Sequence, residues 1–261
     1  MRELERDDLP SHLSEATLVV VGRGRVGRSL AAAAERSGIA TRLVSNDEVG
    51  SIARGAIVLL CVPDDSIAAT AERVTRLGPV LVGHVSGATT LDALAPTPEA
   101  PAFSLHPLQT FADGETSVEG TPAAIAGSTD EALAYARSLA EALGMRPFEV
   151  PEEKRAAYHA AAAMASNLLV ALEESAADVL DRIGVEDARE LLAPLVLRSA
   201  ANWVERGPAA LTGPIARGDR ATVQRHRVAL AENAPDLVRL YDVLAMRAEA
   251  LAWESVHGVS S

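Results

Sequence analysis

The hydrophobic rhythm of this chain changes once. Up to residue 150, short uninterrupted apolar runs alternate with stretches of helical spacing. TLVVV (17–21) is a β-branched run without charge, the pattern of a strand buried on both faces. Residues 25–37 follow with helix-compatible spacing, and Gly38 closes them as a C-terminal cap. Further runs at 41–46 (TRLVSN), 56–62 (AIVLLCV), 79–86 (PVLVGHVS), 100–106 (APAFSLH) and 122–127 (PAAIAG) predict more strands. Helices are predicted at 65–78 and 130–144, the second followed by a short RPFEV segment (146–150). Strands alternating with helices predict a doubly wound parallel sheet with both faces covered.

After Pro151 the strand signals stop. Residues 152–184 fit a single helix of about 30 residues, long for a globular protein. Residues 185–207 form a second helical stretch, 208–219 a loop punctuated by Gly and Pro, and 220–256 a third helical stretch with a break expected at Pro235. The fold class is therefore α/β followed by an all-α part. The expected domains are residues 1–150 and 151–261.

Composition narrows the partners. The 261 residues include 24 basic and 36 acidic ones, a formal net charge of −12. So acidic a surface repels phosphate backbones and anionic lipid, which excludes nucleic acid and membrane as expected partners and leaves room for a small anionic substrate in a local pocket. The N-terminus is charged and reads as a loose lead-in over residues 1–14, not as a signal peptide. One cysteine, Cys61, lies inside an apolar run, as a small buried hydrophobe would. Without a disulfide framework, a reducing cytoplasm is the expected compartment. Lys154 is the only lysine, so any lysine-dependent step would fall to it. No metal site is expected.

The chemistry starts at VVVGRGRVGRSL (19–30). Gly22-x-Gly24-x-x-Gly27 follows a buried strand and opens a helix, the context that a dinucleotide cradle requires. Gly22 permits the tight turn, Gly24 lets backbone approach a pyrophosphate, and Gly27 allows close helix–strand packing. The helix start, through Arg25 and Val26, offers free N–H groups and partial positive charge. A pyridine-nucleotide site for NAD usually holds an acid after the second strand. That strand ends at Ser45 and Asn46, which are neutral. Arg23 and Arg25 in the glycine loop and Arg42 in the strand suit a 2′-phosphate. The expected cofactor is NADP rather than NAD, with Asp47 the residue that would reverse the choice. At the next strand end, Val62 and Pro63 of CVPDDSI fall where the nicotinamide-side ribose would lie. Ser86 and Gly87 in HVSGATT and His106 in SLHPLQTF fall on the same carboxyl edge of the sheet, where open α/β sheets bind ligands.

Two later segments add candidates. On the long helix, His159 and Ser166 are seven apart and so share a face, with Asn167 beside them. His159 suits proton donation to a carbonyl oxygen, and Asn167 suits orienting it. In ALTGPIARGD (210–219), Thr212 and the Gly213 N–H suit a carboxylate that Arg217 would clamp. Asp219 either holds Arg217 or caps the following helix.

These segments resemble a family of Rossmann-like oxidoreductases that carry an all-helical C-terminal domain of unknown function. Its relatives are coenzyme-F420-dependent NADP reductase, pyrroline-5-carboxylate reductase, ketopantoate reductase and prephenate dehydrogenase. The matching stretches are VVVGRGRVGRSL, CVPDDSI, HVSGATTLDAL, SLHPLQTF, YHAAAAMASNLLVAL and ALTGPIARGD, from residue 19 to about 230. The resemblance implies a Rossmann-type NADP-binding domain, hydride transfer and a homodimer built through the C-terminal helices. It supplies no substrate. Ketopantoate-type relatives place a Lys four residues before an Asn on the long helix, where this chain has Ala163 and Asn167. Prephenate dehydrogenases place a His beside a Ser, where this chain has Ser166-Asn167. The expected activity is NADP-dependent reduction of a ketopantoate-like 2-keto acid or, second, an imino acid. The alternatives are a non-catalytic NADP-binding sensor or partner subunit, and a reaction with reduced deazaflavin as hydride donor.

Overall fold

The computed structural model describes residues 15–97 and 100–257, and the lead-in at 1–14 lies outside them. Two compact units divide between Met164 and Ala165. In the first unit, seven strands form one sheet: β1 (Leu18–Val21), β2 (Thr41–Val44), β3 (Ile57–Leu60), β4 (Leu81–His84), β5 (Ala102–Pro107), β6 (Pro122–Gly127) and β7 (Arg146–Glu149), in the order β2-β1-β3-β4-β5-β6-β7. All four residues of β1, β3 and β4 are buried. Val20, Leu59 and Leu105 pack into a core on one face, and Val19, Val21, Val58 and Leu60 into a second core on the other. That is why these strands read as unbroken apolar runs rather than alternating ones.

Helices α1 (Arg25–Arg36), α2 (Ile67–Thr75) and α3 (Asp130–Ala142) cover the sheet. The side chain of Thr129 caps α3 by accepting the Ala132 N–H at 3.1 Å. Tyr135 of α3 meets Phe103 of β5 edge-on, with ring centroids 5.3 Å apart.

The sequence predicts a wholly parallel sheet, and the structure departs from that at β6. β6 runs antiparallel to β5, pairing Phe103 with Gly127 and Pro107 with Ala123, and β7 runs parallel to β6. A parallel return needs a crossover, usually a helix. The β5–β6 connection, residues 108–121, contains no helix. It closes on itself through Gln109, which donates from Nε2 to the Ser117 carbonyl at 2.7 Å and accepts the Thr121 hydroxyl at 2.5 Å. The chain therefore turns straight back.

The single helix expected over 152–184 is also divided. A 3-10 turn, Glu152–Lys154, leads into α4 (Arg155–Ala165), which ends the first unit. In the second unit, α5 (Asn167–Arg182) begins after Ser166, whose φ of −127° and ψ of −81° are not helical. Ser and Asn side chains compete for backbone groups, so a Ser-Asn pair is a weak point in a helix. The same-face argument for His159 and Ser166 is lost with this break. The second unit continues with α6 (Ala188–Arg206), the short α7 (Gly213–Ala216), α8 (Arg220–Asn233) and α9 (Val238–His257), with the expected interruption at Pro235. Ion pairs tie these helices: Arg189 to Glu174, Arg182 to Asp236, and Arg227 to Asp242 through both carboxylate oxygens. Among the described residues, no helix is long and apolar enough to cross a membrane.

Gly83 of β4 tests the packing of the sheet, because a Cβ there would stand 2.4 Å from the Phe103 ring. Gly83→Ala is expected to lower stability by about 1–3 kcal/mol through overpacking, read as a lower urea midpoint with an unchanged slope.

Candidate active site

The turn after β1 is fixed by contact with its neighbour strand. Gly22 has a φ of +120°, and a Cβ on it would lie 2.2 Å from the Cys61 carbonyl oxygen at the end of β3. A Cβ on Gly27 would lie 1.9 Å from the Gly22 carbonyl oxygen. At Gly24, by contrast, nothing stands within 4 Å of the Cβ position. Two glycines thus let chain pack on chain, while the third leaves open space at the start of α1. Gly24 caps that helix without a side-chain hydrogen bond, and its first turn holds no acid. The residues present fit a pyrophosphate approaching bare N–H groups. Arg25 is exposed and Val26 half-buried on that turn. Burial pushes the thiol of the neighbouring Cys61 up to about 12, so it stays protonated at neutral pH.

The end of β2 holds more charge than its sequence suggested. Glu48 accepts the Ser45 N–H at 2.7 Å and pairs with Arg23 at 2.9 Å. These Ser45 hydrogen bonds, and then Arg23 and Arg42, hold its carboxyl below the usual range. The Asn46 side-chain oxygen is taken by Thr70 and Arg73 of α2, at 3.3 and 3.1 Å. The Arg42 guanidinium donates to Ser51. Val62 is half-buried and Pro63 exposed, between β3 and the turn Asp64–Ser66.

The carboxyl ends of β4 and β5 hold a connected polar group. The Ser86 hydroxyl lies 2.8 Å from Asp64 Oδ2 and 2.9 Å from Thr89 Oγ1, and accepts the Thr89 N–H at 3.0 Å. Arg155, at the start of α4, has no exposed surface. Its guanidinium donates to the Ser104 hydroxyl at 2.8 Å and the Ser86 carbonyl at 2.5 Å, and lies 3.4 Å from Glu152. Glu152 in turn accepts the Leu91 N–H at 2.6 Å. One buried cation so ties β4, β5 and the entry to α4.

Two imidazoles, His84 and His106, feel this cation, and a third, His159, packs against His106. His84 is fully buried and accepts the Ser86 N–H at Nδ1. His106 Nδ1 lies 2.7 Å from the Tyr158 hydroxyl, and its ring centroid is 5.8 Å from that of His159. The buried Nδ1 of His159 has no hydrogen-bond partner. Gly87 makes room for both rings: a Cβ on it would stand 2.5 Å from His159 Nδ1 and 2.9 Å from His106 Nε2. Burial first, and then the charge of Arg155, lowers His84 to about 4. Burial, followed by His159 and Arg155, lowers His106 to about 4. Burial pushes the Tyr158 phenol up to about 12. At neutral pH Tyr158 therefore keeps its proton, and it shares with His106 Nδ1 a hydrogen bond whose direction follows the tautomer of the ring. His106 is an uncharged ring, and in the tautomer whose Nδ1 accepts from Tyr158 its Nε2 carries the hydrogen beside Gly87.

The remaining sequence candidates lie in the second unit. The Ser166 hydroxyl is 3.1 Å from Asn167 Oδ1. Thr212 precedes Gly213, which has a φ of +86° and starts α7. Arg217 ends α7. Of the two roles open to Asp219, capping is the one seen: it accepts the Thr222 N–H at 3.0 Å and the Thr222 hydroxyl at 2.7 Å. Among the described residues, no group of three or more His, Cys, Asp and Glu side chains is placed to hold a metal.

Sequence reading missed Arg155, Tyr158, Glu152, His84 and Glu48. Two of these left signals. Glu48 stands three residues after Ser45, the capping-box spacing. Arg155 stands one helical turn before Tyr158 and His159.

Residues 121–248 match a protein-family model described as a domain of unknown function, DUF2520. A search of curated proteins returns no match. Among solved structures, a Bacteroides fragilis chain described as a candidate NADP oxidoreductase is similar, at 20% identity, covering 91% of this chain and 99% of that one with a TM-score of 0.76. A Thermotoga maritima protein is 23% identical, with 92% and 100% covered and a TM-score of 0.76. A Plasmodium falciparum pyrroline carboxylate reductase, solved with NADP bound, is 15% identical, with 91% and 99% covered and a TM-score of 0.57. These likenesses establish a Rossmann-like fold followed by a helical C-terminal part.

Two outcomes test this polar group. His84 and His106 ring signals should stay unshifted in NMR titrations from pH 8 to about 5. A histidine charges more readily unfolded, near 6.5, than in this site, near 4, so both favour the fold above pH 6.5 and that contribution is lost as pH falls towards 4. Arg155→Met leaves the Ser86 carbonyl and Glu152 without their cation, and should cost about 3–5 kcal/mol in chemical denaturation.

Proposed function

We propose that this Rossmann-like chain is an NADP-dependent oxidoreductase that reduces a small carbonyl acid. A ketopantoate-like 2-keto acid is the first candidate class, and an imino acid the second. The observation that carries this reading is the open space at Gly24, held at the start of α1 by two glycines that tolerate no side chain. It suits a pyrophosphate, and α1 starts at the carboxyl edge of the same sheet whose strand ends carry Ser86 and His106, with His159 of α4 against Gly87. The oxidoreductase names of structural neighbours agree with this class. Arg23 and Arg25 favour the 2′-phosphate form of the cofactor.

Bound reduced nicotinamide would supply hydride to the carbonyl carbon. The chain's own residues must then deliver a proton to the oxygen. His159 suits that role, because its buried Nδ1 is unpartnered and faces the Gly87 backbone. His106 suits a neutral hydrogen-bond donor to the same oxygen, through Nε2–H in the tautomer whose Nδ1 accepts from the Tyr158 hydroxyl. Ser86 and Asp64 hold the loop that carries Gly87.

We also propose that the chain works as a homodimer through its C-terminal helices. Leu191, Leu195, Trp203, Val204, Val243 and Trp253 are large apolar side chains exposed on α6 and α9, which a partner surface would cover. Sedimentation should give twice the 27.3 kDa chain mass, and Leu195→Glu with Val204→Glu should give the single mass.

Oxidation of NADPH should be measured across a panel of 2-keto and imino acids. His159→Ala and His106→Asn are each expected to lower kcat/KM about 10²–10⁴-fold while NADPH binding stays unchanged. Tight NADPH binding with no turnover on any panel member would favour a sensor or partner subunit instead.

A further inference from the structure

The Glu48 carboxylate is held by two separate chain segments. It accepts the N–H of Ser45, the first residue past β2, and pairs with Arg23 in the glycine turn past β1. β1 and β2 are neighbours, with Val21 beside Val44. In a sheet of this type the adenosine ribose of a dinucleotide lies against these two strand ends. A carboxylate that bridges them therefore stands where the substituent on the ribose 2′ carbon is sensed. Asp47, the acid singled out from the sequence, makes neither contact.

We propose that Glu48 is the specificity-determining residue of this subsite, acting by holding Arg23 in an ion pair that a 2′-phosphate must displace. The inference rests on the pyridine-nucleotide reading above. A 2′-hydroxyl can donate to the Glu48 carboxylate while Arg23 stays paired. A 2′-phosphate meets the opposite situation. It is repelled by the carboxylate and gains the Arg23 guanidinium only by taking it from Glu48. The two side chains are 51% and 45% exposed, so packing locks neither and Arg23 is free to change partner. The Ser45 N–H keeps Glu48 in place after Arg23 leaves, so the carboxylate stays and tempers the preference for the phosphate. Arg23 itself is held at its backbone, where its carbonyl accepts the Arg28 Nε–H at 2.9 Å. Only its side chain needs to swing.

The test is direct binding, without turnover. NADPH and NADH are titrated against the full chain and the variants Glu48→Gln, Arg23→Ala and the double variant, following nicotinamide fluorescence. Glu48→Gln keeps an oxygen for the Ser45 N–H and should raise the NADPH-to-NADH affinity ratio about tenfold. Arg23→Ala should weaken NADPH about tenfold and leave NADH nearly unchanged. In the double variant the gain from Glu48→Gln should shrink to the part owed to direct carboxylate–phosphate repulsion, since the freed partner is gone. A ratio unmoved by Glu48→Gln, or a gain undiminished without Arg23, overturns the proposal while the nucleotide reading stands. Binding of neither nucleotide to the unaltered chain overturns both.

Discussion

The approach of the first turn to the Cys61 backbone is the constraint on which the site depends. β1 and β3 lie side by side, so the chain leaving β1 must cross the end of β3 at a distance that only glycine allows. Gly27 repeats the demand one helical turn later, and the two together fix where α1 begins. Its unpaired N–H groups are thereby aimed by sterics rather than by any side-chain cap. The openness at Gly24 follows from the same arrangement. A substitution at Gly22 or Gly27 would move the whole helix start, and with it any phosphate the helix holds.

A second constraint acts at β4 and β5. Arg155 is a buried cation that satisfies a carbonyl, a hydroxyl and a carboxylate from three different segments. Such a charge is tolerated only because these partners replace its water. Its presence in a dry region then acts on everything nearby. His84 and His106 stay neutral because a further positive charge would be unsolvated and repelled. Structure and chemistry are coupled here: the group that joins the strands adds its charge to the burial that keeps the rings at their ends neutral.

Much of this fold was legible in the sequence, for definite reasons. Strands buried on both faces have no polar positions, so TLVVV and AIVLLCV could hardly be anything else, and the glycine spacing named the turn. The antiparallel return of β6 was not legible, because direction depends on a helix missing from residues 108–121, and an irregular stretch has no pattern of its own. The break at Ser166 was hidden among strong helix formers on both sides. His106 and His159 were singled out on strand-end and helix position, and the structure brings their rings together with Gly87 between them. Arg155 escaped because an arginine near the start of a helix looks like a solvated one. Only the tertiary fold reveals that it is enclosed. Glu48 escaped because attention fell on the strand end itself, while its side chain reaches back three residues.

The chain's only lysine, Lys154, gives this arrangement an unplanned use. It is exposed on the 3-10 turn between Glu152 and Arg155, the two residues that anchor α4 to the strand ends. Reagents selective for side-chain amines therefore have a single target, next to the buried cation yet outside its hydrogen-bonding circle. A fluorophore coupled there would lie one residue from Arg155 in the chain, on an exposed side chain outside that cation's hydrogen bonds. Arginine-for-lysine usage elsewhere has, in effect, left the molecule with one built-in attachment point beside its most chemically dense region.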